Sequence, residues 1–271
     1  MHLLDYFQDP VLQAPAFGSL LMALTSAIVG TFLVLGRKSL LGEVLSHSLY
    51  PGVIIALFVS SLLFHPENGG GFQEIGELLG VIVAAFATSL LAIRFLNFQQ
   101  QTLRVSHDAA QTVTLASFFA IGLLLFSGLQ NDFPILGRKL NATVFGQTAT
   151  MRSIHLISYG ALTVLVLATV SIFFRSIEAT LFDSSFAAFS GICTRRIENL
   201  LFSLTILAIC IGIRSTGVVL VSAMLVFPAA AARRLSNNLK VVLVLAAIIG
   251  MLSGFFGLVI AHESATVLSK P

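Results

Sequence analysis

The stretch GRKSLLGEVLSHSLYPG, residues 36–52, decides how the chain is read, because it sets two cations, a glutamate and a histidine between long apolar runs. Glu43 and His47 are four residues apart. If Ser39 to Phe64 forms one helix, that spacing puts both side chains on one face, a turn apart. A carboxylate oxygen beside an imidazole nitrogen suits a divalent first-row cation such as manganese, zinc or ferrous iron better than a purely oxygen-seeking ion such as calcium. Leu40, Leu41, Val44, Leu45 and Leu49 fill the other faces, so the pair is expected where water is scarce. A charged group at membrane depth costs about 2.5–3.5 kcal/mol on insertion scales, and for that reason is read as functional. The plainer alternative keeps Glu43 and His47 in the headgroup zone just above Arg37 and Lys38, bonded to each other, with the carboxylate favoured by the positive end of the helix dipole.

Composition fixes the solvent in which that choice is made. Of 271 residues, 56% are hydrophobic and 10% charged, and the mean hydropathy is +0.97; a soluble domain carries about 25% charged residues. The chain is therefore a polytopic membrane protein. Its net charge of +3 comes from basic residues in short loops between apolar runs, a pattern of membrane topology that excludes nucleic acid as a partner. Cys193 and Cys210 are too few and too apolar in setting for a disulfide framework and are expected to be reduced packing residues. The opening MHLLDYFQDP carries Asp5 and Asp9 in place of a basic n-region, so no cleavable signal peptide is expected.

A membrane span needs about 20 mostly apolar residues. Eight stretches qualify: 16–35, 43–64, 77–95, 110–128, 155–174, 197–214, 216–232 and 239–261. The expected fold is all-α, a polytopic helical bundle of about eight transmembrane helices forming a single domain over residues 1–271. Lysine and arginine orient it. Arg37 and Lys38 mark the first loop as cytoplasmic, Arg94 and Arg104 the third, Arg175, Arg195 and Arg196 the loop after 155–174, and Arg233, Arg234 and Lys240 the last. Residues 138–152, RKLNATVFGQTATMR, are too polar and too short to cross and are expected as a short helix at the outer face. The inward loop 175–198 holds no glycine-rich phosphate loop, so the chain is not expected to hydrolyse ATP itself. Within it, IEATLFDSSFAAFSGI (177–192) interleaves Phe182, Phe186, Ala187 and Phe189 with Asp183, Ser184 and Ser185. A short amphipathic helix of this kind fits a groove on another protein; an interfacial helix on lipid is the alternative, although the lysine-rich polar face of such helices is missing.

Five stretches together resemble one family, the membrane permease subunits of bacterial ABC importers for manganese, zinc or iron. They are LGRKSLLGEVLSHSLYPGV (35–53), SHDAAQTVTLASFFAIGLLL (106–125), VFGQ (144–147), FDSSFAAFSG (182–191) and STGVVLVSAMLVFPAAAARRL (215–235). The resemblance implies an all-helical permease in the bacterial inner membrane, two such subunits (identical or paralogous) working with cytoplasmic ATPases that bind ATP, and an extracytoplasmic binding protein that delivers the metal. The metal is then substrate, with no permanently bound cofactor. The resemblance further implies that Glu43 and His47 are the family's acid-xxx-His pair, here with glutamate where aspartate is more usual. Phe182, Asp183, Phe186, Ala187 and Gly191 would belong to the coupling helix, and Val144, Phe145 and Gly146 to a short outer gating helix. The family continues past a motif like that near Ser253 into one more helix; this sequence stops at Pro271, so that closing helix is expected to be absent.

Asp108 and His107, at the start of the fourth span, are secondary metal candidates, with helix capping by Asp108 as the plainer role. His65, His155 and His262 fall near the outer ends, where interfacial histidines are common. Pro228 is expected to kink its helix, and Gly30, Gly217 and Gly254 to mark close packing. Three rival readings share parts of this pattern: a permease for a metal chelate such as a siderophore or cobalamin, an intramembrane zinc hydrolase, and an ATP-independent secondary transporter. The second is disfavoured because ExxxH is not HExxH and no third ligand is apparent.

Overall fold

The computed structural model describes residues 10–63, 71–133, 137–138, 140–141, 146 and 153–268. Among them there is no strand, as expected where lipid offers the backbone no hydrogen bonds and each segment must satisfy its own. The helices are α1 (Pro10–Leu35), α2 (Ser39–Ser48), α3 (Tyr50–Leu63), α4 (Gly71–Gln101), α5 (His107–Asp132), α6 (Ser153–Phe182), α7 (Ser184–Phe189), α8 (Thr194–Leu235) and α9 (Leu239–Leu268). Eight stretches are long and apolar enough to cross a membrane: Gln13–Leu35, Ser39–Leu62, Leu79–Gln101, His107–Gln130, His155–Phe182, Thr194–Ile213, Thr216–Leu235 and Leu239–Ala261. All eight overlap the expected spans, but the third runs on to Gln101 and the fifth to Phe182, which places Arg94 and Arg175 inside helices where loops were expected. The proposed outer helix around Val144 and Phe145 lies outside the described residues, and so does His65.

Two helices depart from the sequence expectation for backbone reasons. Residues 39–63 are interrupted at Leu49, although the Leu49 amide still donates to Leu45 O at 3.0 Å and the Val53 amide to Leu49 O at 3.0 Å. Pro51 accounts for the interruption: it has no N–H to close onto the His47 carbonyl, and its ring crowds that carbonyl. α8 contains both the sixth and seventh spans, and its backbone leaves helical angles at Gly217 (φ 79, ψ 166). That conformation is open essentially only to glycine, so Gly217 marks a break between the two spans. Pro228 stays inside the second arm.

The chain divides into two compact units. One comprises α1, α6, α7, the first arm of α8 to Ala208, its second arm from Ala223, and α9. Small residues let its helices close: a Cβ on Gly250 would stand 2.9 Å from Ala27 Cβ, and one on Gly254 would stand 3.0 Å from Ala23 Cβ. Gly30 lies directly against the Leu225 carbonyl, and Thr25 shares a buried 2.8 Å hydrogen bond with Thr163, joining α1 to α6. These are the small-residue and hydroxyl contacts expected of helices packing in lipid.

The other unit comprises α2–α5 and Ile209–Ser222. There α3 lies against α4 through Gly52, whose added Cβ would come within 2.5 Å of Thr88 Oγ1. It lies against α5 where Gly122 makes room for the Tyr50 ring. Gln99 of α4 donates to Thr114 Oγ1 of α5 at 2.9 Å, and both are buried.

Candidate metal-passage site

Ser39 opens α2, and each residue advances the helix about 1.5 Å, so Glu43 lies about 6 Å and His47 about 12 Å along it. Leu41, Val44, Leu45 and Leu49 are buried around them and hold α2 in place, whereas Leu40 is exposed. The His47 ring is half-buried. It meets Phe119 of α5 edge-on, with ring centroids 4.9 Å apart and an interplanar angle of 78°. Tyr50 meets the same phenylalanine at 5.9 Å. His47 therefore points into its helical unit, against α5.

Among the described residues, His47 Nδ1 is buried with no hydrogen-bond partner. An imidazole nitrogen buried without a partner is costly unless something else meets it, and a neutral imidazole lone pair is a metal donor. Glu43, one turn away, is close enough to act electrostatically on the ring. Glu43 is itself exposed, unlike Leu41, Val44 and Leu45 on the other faces of α2. The exposure follows the helix face and not depth along it: Leu40, three residues earlier on the same side of α2, is exposed too, whereas Leu41 is buried. Ser46 Oγ donates to the Glu43 backbone carbonyl at 2.8 Å, and among the described residues no ion pair reaches the Glu43 carboxylate. Among the described residues no three His, Cys, Asp or Glu side chains come together as a closed metal cage.

The secondary candidates fare differently. Gln100 Nε2 approaches His107 Nδ1 at 2.7 Å, and Gln111 Nε2 approaches its Nε2 at 3.3 Å. A neutral imidazole has one donor and one acceptor, so it can accept from only one of these two amide nitrogens; with the other amide turned to present its oxygen, both ring nitrogens are engaged. Asp108 is not the cap of α5. Ser106 holds that position, without a side-chain cap bond, and Asp108 lies exposed in the first turn, where the helix dipole favours a carboxylate. Cys193 is exposed and Cys210 buried, both free, so only Cys210 serves packing.

A short helix forms within 177–192, as the sequence suggested, but only over Ser184–Phe189; residues 177–182 continue α6. Asp183 caps α7, its carboxylate accepting from the Phe186 amide at 2.9 Å. Ala187 is fully buried while Phe182, Phe186 and Phe189 are exposed, Phe189 at 95%. Gly191 ends the turn at φ 82, in the left-handed region that favours glycine. Gly146 also has a positive φ, 76.

Sequence reasoning missed Phe119, Tyr50 and Gly122 as parts of the His47 surroundings. The available signal was weak: an aromatic residue followed three positions later by glycine on an otherwise uniformly apolar helix.

Residues 8–267 match the model of a protein family described as the ABC 3 transport family. The chain is 31% identical over 272 residues to the zinc transport system membrane protein TroC of Treponema pallidum (strain Nichols), covering all of this chain and 87% of that one. It is 29% identical over 264 residues to the manganese transport system membrane protein MntC of Bacillus subtilis (strain 168), covering 97% of this chain but 58% of the relative. Among solved structures, PsaBC from Streptococcus pneumoniae in complex with Fab matches with a TM-score of 0.82 at 24% identity, covering 97% of this chain and 87% of that one, a likeness of fold.

Proposed function

The chain belongs to the ABC 3 transport family, and from that premise we propose that it is the membrane permease subunit of an ATP-driven importer, passing a divalent transition-metal ion, manganese or zinc by the names of its relatives, into a bacterial cytoplasm. The observation that carries this reading is His47: a half-buried imidazole inside a transmembrane helix, its Nδ1 unpaired and one turn from an exposed carboxylate. Nitrogen plus carboxylate oxygen matches the borderline preference of manganese, ferrous iron and zinc.

The two ligands act in sequence along α2. With Arg37 and Lys38 on the cytoplasmic side, an ion arriving from outside meets His47 first and Glu43 about 6 Å closer to the exit. Two donors hold a dehydrating cation only loosely, so it is passed on without being trapped. Lys38, the cation nearest the mouth in sequence, is tied elsewhere: its Nζ lies 3.4 Å from Glu198 Oε1 and 4.9 Å over the Phe202 ring. The chain spends no ATP in this scheme. A partner ATPase does, its motion entering through α7, whose exposed phenylalanines suit a groove on that partner. A second permease copy or paralogue and an extracytoplasmic metal-binding protein complete the assembly, with residues 1–271 as a single permease domain.

His47→Ala, expressed with the rest of the transporter, tests the reading through uptake of radioactive manganese or zinc. The expected result is loss of uptake with the ATPase still co-purifying. Undiminished uptake of both metals refutes the role of His47.

A further inference from the structure

Val170, Ser171, Ile172, Phe174 and Arg175 of α6 line, together with Lys240 of α9, an open groove of about 500 Å³ that metal passage does not use. All six residues belong to one compact unit. We propose that this groove holds the phosphate headgroup of an anionic phospholipid of the cytoplasmic leaflet, with Arg175 and Lys240 as its cations and Phe174 as its floor.

The level of the groove in the membrane follows from Lys240. It lies in the first turn of α9, whose span Leu239–Ala261 is about 34 Å long against a hydrocarbon core of about 30 Å, so its start lies at the core boundary. Lys240 Nζ sits 5.6 Å over the Phe174 ring, which brings the neighbouring Arg175 to the same level. The span containing Arg175, His155–Phe182, is about 42 Å long and overhangs the core, so a cation seven residues before its end can sit at headgroup depth. Both cations lie toward the ends of α6 and α9 that the basic residues assign to the cytoplasmic side, the leaflet face with a negative surface potential.

Charge and shape then select the occupant. Arg175 and Lys240 are both exposed. Among the described residues the ion pair found is Lys38 with Glu198, and it involves neither of these two cations nor Glu178, three residues beyond Arg175. Directly deeper into the membrane, Ile172 is 75% exposed, Val244 60%, Leu165 47% and Ile248 44%. A phosphate between the two cations would therefore continue into acyl chains lying along those side chains. A protein docking from water could use the cations but not the apolar surface beneath them.

The test uses the assembled transporter purified in a neutral detergent, titrated with phosphatidylglycerol and, separately, phosphatidylcholine, with bound lipid counted by native mass spectrometry. The wild type should prefer phosphatidylglycerol. R175Q/K240Q should lose on the order of 25-fold of that preference, about fivefold per basic residue removed, while R175K keeps most of it. An unchanged preference in the double variant overturns the proposal. So does inorganic phosphate displacing the lipid at millimolar concentration, which would make this a free-anion site, or loss of the ATPase from the double variant in detergent, which would make it a protein-docking surface. If the R175Q/K240Q permease itself fails to fold, R175Q and K240Q tested singly decide: a loss of about fivefold in each supports the site, and no loss in either overturns it.

Discussion

Replacing Gly52 by alanine should damage transport through packing alone. A Cβ there would stand 2.5 Å from Thr88 Oγ1, 2.7 Å from the Ala84 carbonyl oxygen and 3.0 Å from its carbon. The Thr88 hydroxyl is already spent on the Ala84 and Ala85 carbonyls, at 3.1 and 3.0 Å, and the Ala84 backbone cannot rotate away. Ordinary contact begins at 3.4 Å, so α3 and α4 must separate by about 0.7 Å. Overfilling a tight helix contact in this way costs about 1–3 kcal/mol. Because α3 continues into α2 through the Leu49 hydrogen bonds, the shift also moves His47 relative to Phe119, now 4.9 Å away. Thermal unfolding of the purified transporter should show a lowered midpoint, and metal uptake should fall with it. Gly80→Ala is the control, since a Cβ on that residue of α4 meets nothing within 4 Å. If G52A and G80A both match the wild type in midpoint and uptake, the close approach of α3 and α4 is wrong.

Gly217→Ala should cost about 1–3 kcal/mol, because φ 79 with ψ 166 is a conformation that a Cβ disfavours; an unchanged thermal midpoint would rule out the break there. Phe189→Ala, at a side chain 95% exposed, should leave the permease's own thermal midpoint unchanged while weakening co-purification of the ATPase. A variant that retains the ATPase fully would count against α7 as the docking element.

The sequence already held the all-helical fold, because eight runs of apolar residues long enough to span lipid leave the backbone no other way to satisfy its hydrogen bonds. It held the Glu43–His47 pair as well, since a spacing of four fixes the relative azimuth of two side chains on any helix. A short helix within 177–192 was legible too, from phenylalanines interleaved with Asp183, Ser184 and Ser185, while its bounds and its Asp183 cap were not. Relative azimuth says nothing of where a helix face points, and only tertiary packing supplied that: His47 turned toward Phe119 and Glu43 left exposed. The same limit hid the groove at Arg175 and Lys240. Its two cations come from helices far apart in the chain, and a local pattern carries no information about which spans lie side by side.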